Sequence, residues 1–133
     1  MKLKVCGLRE PRNIRALLEL GLDYIGLLFY PKSSRYVGKD EALAAWIARS
    51  AALFGDTKRV GVFVNAELEL LLNAIHDFGL QAVQLHGDEQ PEYLAELRRF
   101  GRLGTLPQLE LIKAFGLHAG FDFEQTEAYA GSC

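Results

Sequence analysis

Sulfur is scarce in this sequence of 133 residues, with one methionine and two cysteines, Cys6 and Cys133, at opposite ends. Two thiols so placed do not form a disulfide framework, so reduced cysteines are expected and no metal site is implied. Proline is limited to 4 residues, and no linker or low-complexity stretch marks an internal boundary, which suits one domain over residues 1–133. Neither sign of charge dominates. With 15 Lys and Arg against 17 Asp and Glu the net charge is -2, which offers no footprint for nucleic acid or an anionic membrane. No apolar run approaches the roughly 18 to 20 residues needed to cross a bilayer. Met1-Lys2-Leu3 leads directly into patterned sequence without a signal-peptide core, so a cytoplasmic location is expected. Walker loops, GxGxxG turns, nucleophile elbows and zinc-ligand spacings are also missing.

What is present is alternation. Short runs rich in Val, Ile, Leu and Phe alternate with longer stretches of helical period, the pattern of successive βα units in a parallel sheet. The strands are expected at residues 3–7, 24–29, 59–64, 81–85 and 110–114. A first helix opens near Pro11 and stops before Gly21, and a second runs from about Asp40 to Phe54, burying Leu43, Trp46 and Ile47. In the third, Leu68, Leu71, Leu72 and Ile75 share one face and Gly79 follows as a C-cap. A fourth begins at Pro91 and packs Leu94 and Leu97, and Phe123 to Cys133 reads as the start of a fifth. The repeat is about 27 residues, so the chain holds about five units where a closed eight-unit barrel would need roughly 216 residues. By length alone the units suit a complete five-stranded, flavodoxin-like open sheet. A partial barrel would leave its first and fifth strands as unpaired edges.

In either architecture the functional face lies at the carboxyl ends of the strands. Cys6 ends the first strand and shares a face with Lys4; it is either a small buried hydrophobe or a base or nucleophile. Acting as a base, a thiol needs a nearby cation or oriented amides to bring its pKa from about 8.5 towards neutrality. Gln84 and His86 form a polar pair on one face of the fourth strand, either satisfying backbone groups or meeting a ligand. Lys113 stands in the apolar Leu111-Ile112-Lys113-Ala114 run, where a lysine must be paired or snorkel outwards. The Pro31-Lys32-Ser33-Ser34-Arg35 loop offers cations to a carboxylate or phosphate, with Arg35 the leading candidate and a solvated surface arginine the alternative. Asp88 and Asp122 adjoin loop sequence and read as solvated turn residues.

Taken together, KVCGL at 4–8, GLLFYPKSSRYV at 26–37, RVGVFVN at 59–65, VQLHGDE at 83–89 and IKAF at 112–115 resemble phosphoribosylanthranilate isomerase. The resemblance covers nearly the whole chain, in the family's order and spacing. It implies a (βα)8 TIM barrel represented by about its first five units, in place of the open sheet that length favours. The implied reaction is the Amadori rearrangement of N-(5-phosphoribosyl)anthranilate to 1-(2-carboxyphenylamino)-1-deoxyribulose 5-phosphate in tryptophan biosynthesis, with neither cofactor nor metal. By that resemblance Cys6 is the general base, Arg35 binds the anthranilate carboxylate, and Gln84 and His86 line the pocket. The family's general acid, an aspartate ending the sixth strand, and its phosphate loops after strands seven and eight have no counterparts here. The isolated chain is therefore expected to be inactive, and to self-associate or require a complementing C-terminal segment. The competing expectation is a non-catalytic small-ligand or interaction module with a re-closed sheet.

Overall fold

The computed structural model describes residues 1–102 and 108–133. Its elements are β1 (Lys4–Cys6), α1 (Pro11–Leu18), β2 (Tyr24–Leu28), α2 (Glu41–Arg49), β3 (Lys58–Phe63), α3 (Leu68–Phe78), β4 (Ala82–Leu85), α4 (Pro91–Arg102) and β5 (Glu110–Lys113). Two 3-10 segments, Ala51–Phe54 and Phe123–Tyr129, complete them. The ends follow local chemistry. Pro11 opens α1, the Asp40 carboxylate accepts from the Leu43 amide to cap α2, and Gly79 closes α3 in the left-handed conformation at φ 58°.

The helix expected from Asp40 to Phe54 is in fact two pieces, broken at Ser50. In one straight α-helix Trp46 and Phe54 would stand about 12 Å apart along the axis. The break brings their rings to 6.2 Å edge to face, with Phe54 buried. Residues 123–129 form a 3-10 segment, capped where the Asp122 carboxylate accepts from the Glu124 amide.

All five strands are parallel, in the order β1-β2-β3-β4-β5. A doubly wound sheet reverses direction after its first strand and carries helices on both faces. Here neighbours in sequence are neighbours in the sheet. Ile14 of α1, Ile47 of α2, Leu71 of α3 and Leu94 of α4 join one buried cluster with Ile25, Leu27, Val83 and Leu111 of the strands. Helices therefore cover a single face, as in an arc of a barrel, and the flavodoxin-like alternative is corrected. Each fully buried aliphatic or aromatic side chain on that side contributes roughly 1.5–3 kcal/mol, so this layer dominates stability. Among the described residues β1 and β5 each have one partner strand. Among the described residues no helix is long and apolar enough to cross a membrane.

Strand register places Lys4, Cys6, Gly26, Val60, Ala82, Gln84 and Glu110 on the opposite, concave face. Two side-chain bridges cross it. Lys4 Nζ of β1 donates to Gln84 Oε1 of β4, and Tyr24 Oη of β2 donates to Glu110 Oε1 of β5 at 2.8 Å. Lys58 Nζ meets the other Glu110 oxygen at 2.7 Å. Between these bridges Tyr24, Val60 and Ala82 form a small second cluster.

Candidate active site

Cys6 is half-buried at the carboxyl end of β1, and the backbone turns sharply after it. Gly7 takes φ +79°, a left-handed value that favours glycine, and the amides of Gly7 and Leu8 both donate to the Gly26 carbonyl, at 3.0 and 3.3 Å. The thiol lies over Gly26. A Cβ built there would stand 2.7 Å from Cys6 Sγ, so glycine on β2 provides the space the sulfur occupies.

Arg35 reaches the same corner from the loop after β2. A Cβ at Gly7 would lie 2.5 Å from Arg35 Nη1 and 2.7 Å from its Cζ, so the guanidinium covers the residue next to Cys6. The loop is pinned at its base, where Val37 is buried and its amide donates to the Leu28 carbonyl at 2.9 Å. Its turn is fixed by the Arg35 amide donating to Ser33 Oγ at 3.1 Å and by Arg9 Nη1 donating to the Ser34 carbonyl at 3.0 Å. Among the described residues nothing accepts from the Arg35 guanidinium, which leaves a planar set of donors exposed beside the thiol.

Gln84 shares the concave face with Cys6, and Lys4 occupies its amide oxygen. His86, two residues on, is exposed, and its amide donates to the Phe63 carbonyl at 2.9 Å. The structure thus gathers Cys6 and Arg35 at one corner and links Gln84 to that corner through Lys4. Asp88 and Asp122 stand apart. Asp88 is exposed and its amide donates to Asn65 Oδ1 at 2.7 Å, while Asp122 caps the last 3-10 segment.

Lys113 is paired, which decides between the two alternatives left by sequence. It lies 3.1 Å from Glu89, with side-chain exposures of 3% and 2%. Sequence reasoning passed over Glu89 because an acidic residue in HGDE reads as part of a solvated turn. The available signal was Lys113 itself, a cation in an apolar strand that demands a carboxylate. Tyr93, beside this cluster, donates to the Ala66 carbonyl at 2.9 Å, and burial, reinforced by Glu89, pushes its hydroxyl up to about 12.

At the amino-terminal end, hydrogen bonding to Lys58 holds the Glu110 carboxyl below its ordinary value. The same contact raises Lys58, and Tyr24 raises Lys2. A cavity of about 400 Å³ lies between the loop after β2 and α3, lined by Phe29, Lys32, Tyr36, Leu70 and Phe78 among others. Cys6, Arg35, Gln84 and His86 are not among its walls.

Residues 3–130 match the family of N-(5'phosphoribosyl)anthranilate (PRA) isomerase. The N-(5'-phosphoribosyl)anthranilate isomerase of Phocaeicola vulgatus is 38% identical over 133 residues, covering 100% of this chain and 57% of that protein. That of Gloeobacter violaceus is 40% identical over 129 residues, 97% of this chain and 54% of its own length. Among solved structures, monomers of the dimeric phosphoribosylanthranilate isomerase of Thermotoga maritima give a TM-score of 0.72 at 30% identity, covering 97% of this chain and 59% of theirs. A phosphoribosylanthranilate isomerase in complex with reduced 1-(O-carboxyphenylamino)-1-deoxyribulose 5-phosphate gives 0.70 at 32% identity, covering 96% and 58%. The chain spans somewhat more than half the length of these proteins.

Proposed function

Because the chain belongs to the phosphoribosylanthranilate isomerase family, we propose that it carries the proton-abstracting and carboxylate-binding half of an isomerase site. The observation that carries this reading is the corner at β1, where the Cys6 thiol lies over Gly26 and the Arg35 guanidinium over Gly7. A planar guanidinium matches a planar carboxylate through two parallel hydrogen bonds, so Arg35 holds the anthranilate end of the substrate. That places the sugar over the strand ends, with Gln84 and His86 along the wall.

The chemistry is an aldose to ketose shift on an amino sugar, a step of tryptophan biosynthesis. A general acid protonates the furanose ring oxygen, and the C1–O bond breaks to give an iminium. Cys6, as thiolate, then takes the proton from C2, and the C–H electron pair forms the enamine by neutralising the iminium nitrogen. Tautomerisation yields the ketone. No external oxidant or reductant enters. By the family pattern the acid stands on a sixth strand and the phosphate is held by later loops, so full turnover draws on units beyond the five described. The free edges of β1 and β5 are where such a complementing segment, or a second copy, would pair. The water-soluble phosphosugar substrate suits the expected cytoplasmic location, and the domain assignment remains one partial barrel over residues 1–133.

Fluorescence titration with anthranilate tests the binding half. Arg35→Lys replaces a fork by a point charge and should weaken affinity about tenfold, the loss of one charge-assisted hydrogen bond of about 1.5 kcal/mol; unchanged affinity rejects the role given to Arg35. For the catalytic half, turnover of N-(5-phosphoribosyl)anthranilate should need a complementing segment and vanish in Cys6→Ala. Robust turnover by the isolated chain, or by Cys6→Ala with the segment, overturns the assignment.

A further inference from the structure

The loops after β3 and β4 meet at a buried pair of charges that the proposed chemistry does not use. An ion pair removed from water returns its desolvation cost only when its remaining hydrogen-bonding sites are also filled. Here the turns fill them. Glu89 Oε1 accepts from the Gly87 amide at 2.9 Å and from Lys113 at 3.1 Å, while Oε2 accepts from the Asn65 amide at 2.9 Å. Lys113 Nζ donates to the Gly87 carbonyl at 2.6 Å. Gly87 is thus held at both its amide and its carbonyl, and His86 immediately before it is held by the Phe63 carbonyl.

Asn65 shows what the pair holds in place. It is the one non-glycine residue among those described with positive φ, at 48°, a conformation that side chains seldom adopt. A Cβ at Gly87 would stand 2.6 Å from Asn65 Oδ1, so the two turns touch through an atom-wide gap that only glycine leaves open. Tyr129 adds a third strap, donating to the Glu89 carbonyl at 2.8 Å. Apolar side chains of similar volume would fill this space, but they could not bind two separate turns by their backbone groups.

We propose that Glu89 and Lys113 are a positioning pair that sets the His86 turn against the Asn65 turn, and through it fixes where the imidazole stands on the functional face. The pair acts through the Gly87 and Asn65 backbone groups that it holds. It rests on the reading of His86 as a pocket wall only for its consequence, since the geometry it controls exists without substrate.

The test uses the 133-residue chain labelled at histidine Cε1, whose three imidazoles give separate NMR resonances. His76, exposed on α3, serves as the internal reference. Glu89→Gln and Lys113→Met keep volume and remove one charge each. In both, the His86 resonance should shift or split well beyond His76, and the double variant should match the single ones because the pair acts as a unit. Folded variants with His86 unmoved overturn the proposal. Should they fail to fold, native hydrogen exchange on the unaltered chain decides: the Asn65 and Gly87 amides should share one protection of at least about 100-fold. Exchange at the rate of free amides overturns it. Failure of the chain to bind anthranilate would strike the functional reading instead, leaving the histidine and exchange results to judge the pair.

Discussion

Adding one methyl group at Gly26 should both weaken the fold and displace the thiol. The Cβ of Gly26→Ala would lie 2.7 Å from Cys6 Sγ and 3.1 Å from both Cys6 Cα and Cβ. A rotation about χ1 can move the sulfur, but the Cα is backbone in β1, paired to β2 at this very position. Relief therefore requires separation of the two strands by a few tenths of an ångström, and overpacking of this kind costs about 1–3 kcal/mol. With a urea m-value of about 2 kcal/mol/M, a loss of about 2 kcal/mol lowers the midpoint by about 1 M. Trp46, the sole tryptophan, packs against Phe54 and reports unfolding by fluorescence. Gly101→Ala is the control, since a Cβ there meets nothing within 4 Å and the residue lies in the last turn of α4; it should change stability by no more than about 0.5 kcal/mol. In a Cys133→Ser background the rate of Cys6 alkylation should also change in Gly26→Ala alone. A Gly26→Ala chain as stable as the parent, with unaltered alkylation, refutes the close-contact reasoning.

Other outcomes follow from the two ends of the arc. The Glu110 carboxyl is held below its model-compound value of 4.5 chiefly by Lys58, so its stabilising effect is fully present above that value and lost as pH falls through the depressed one. The difference in urea midpoint between the parent and Glu110→Gln should therefore be larger at pH 7 than at pH 3, and a constant difference refutes the pairing. Lys58 works in the opposite sense, its pKa being raised above 10.5, so its contribution fades only in strong alkali. Sedimentation velocity across a wide concentration range should show association through the single-partnered strands β1 and β5; a monomer throughout counts against exposed edges as sticky surfaces.

Local pattern was enough to find the elements, because their apolar residues repeat at the strand and helix periods and their ends carry Pro11, Asp40 and Gly79. Strand alternation also put Lys4 with Cys6, as the register has them, whereas His86 stands one residue past the end of β4 and outside the register that holds Gln84. Strand order lay outside that information. A βα repeat reads the same in an open sheet and in a barrel, and only five motifs matched in order favoured the barrel. The corner between Cys6 and Arg35 was hidden for a similar reason, since 29 positions separate Cys6 from Arg35 and the contact runs through Gly7, which has no side chain to signal it. Glu89 was hidden by its neighbours: in HGDE it looks solvated, and its burial is made tolerable by Lys113 at the end of β5 together with the Asn65 and Gly87 amides.

The bridges from Lys4 to Gln84 and from Tyr24 to Glu110 span strands that are not adjacent. Geometrically they are chords, and the length of a chord fixes the radius of its arc. Backbone twist alone leaves a short sheet free to flatten, whereas two side-chain struts of set reach hold the bend from inside. Curvature in this chain is thus written partly in the number of methylenes on Lys4 and Glu110, and a mason would recognise the arrangement as centring that stays in the arch after the stones are laid.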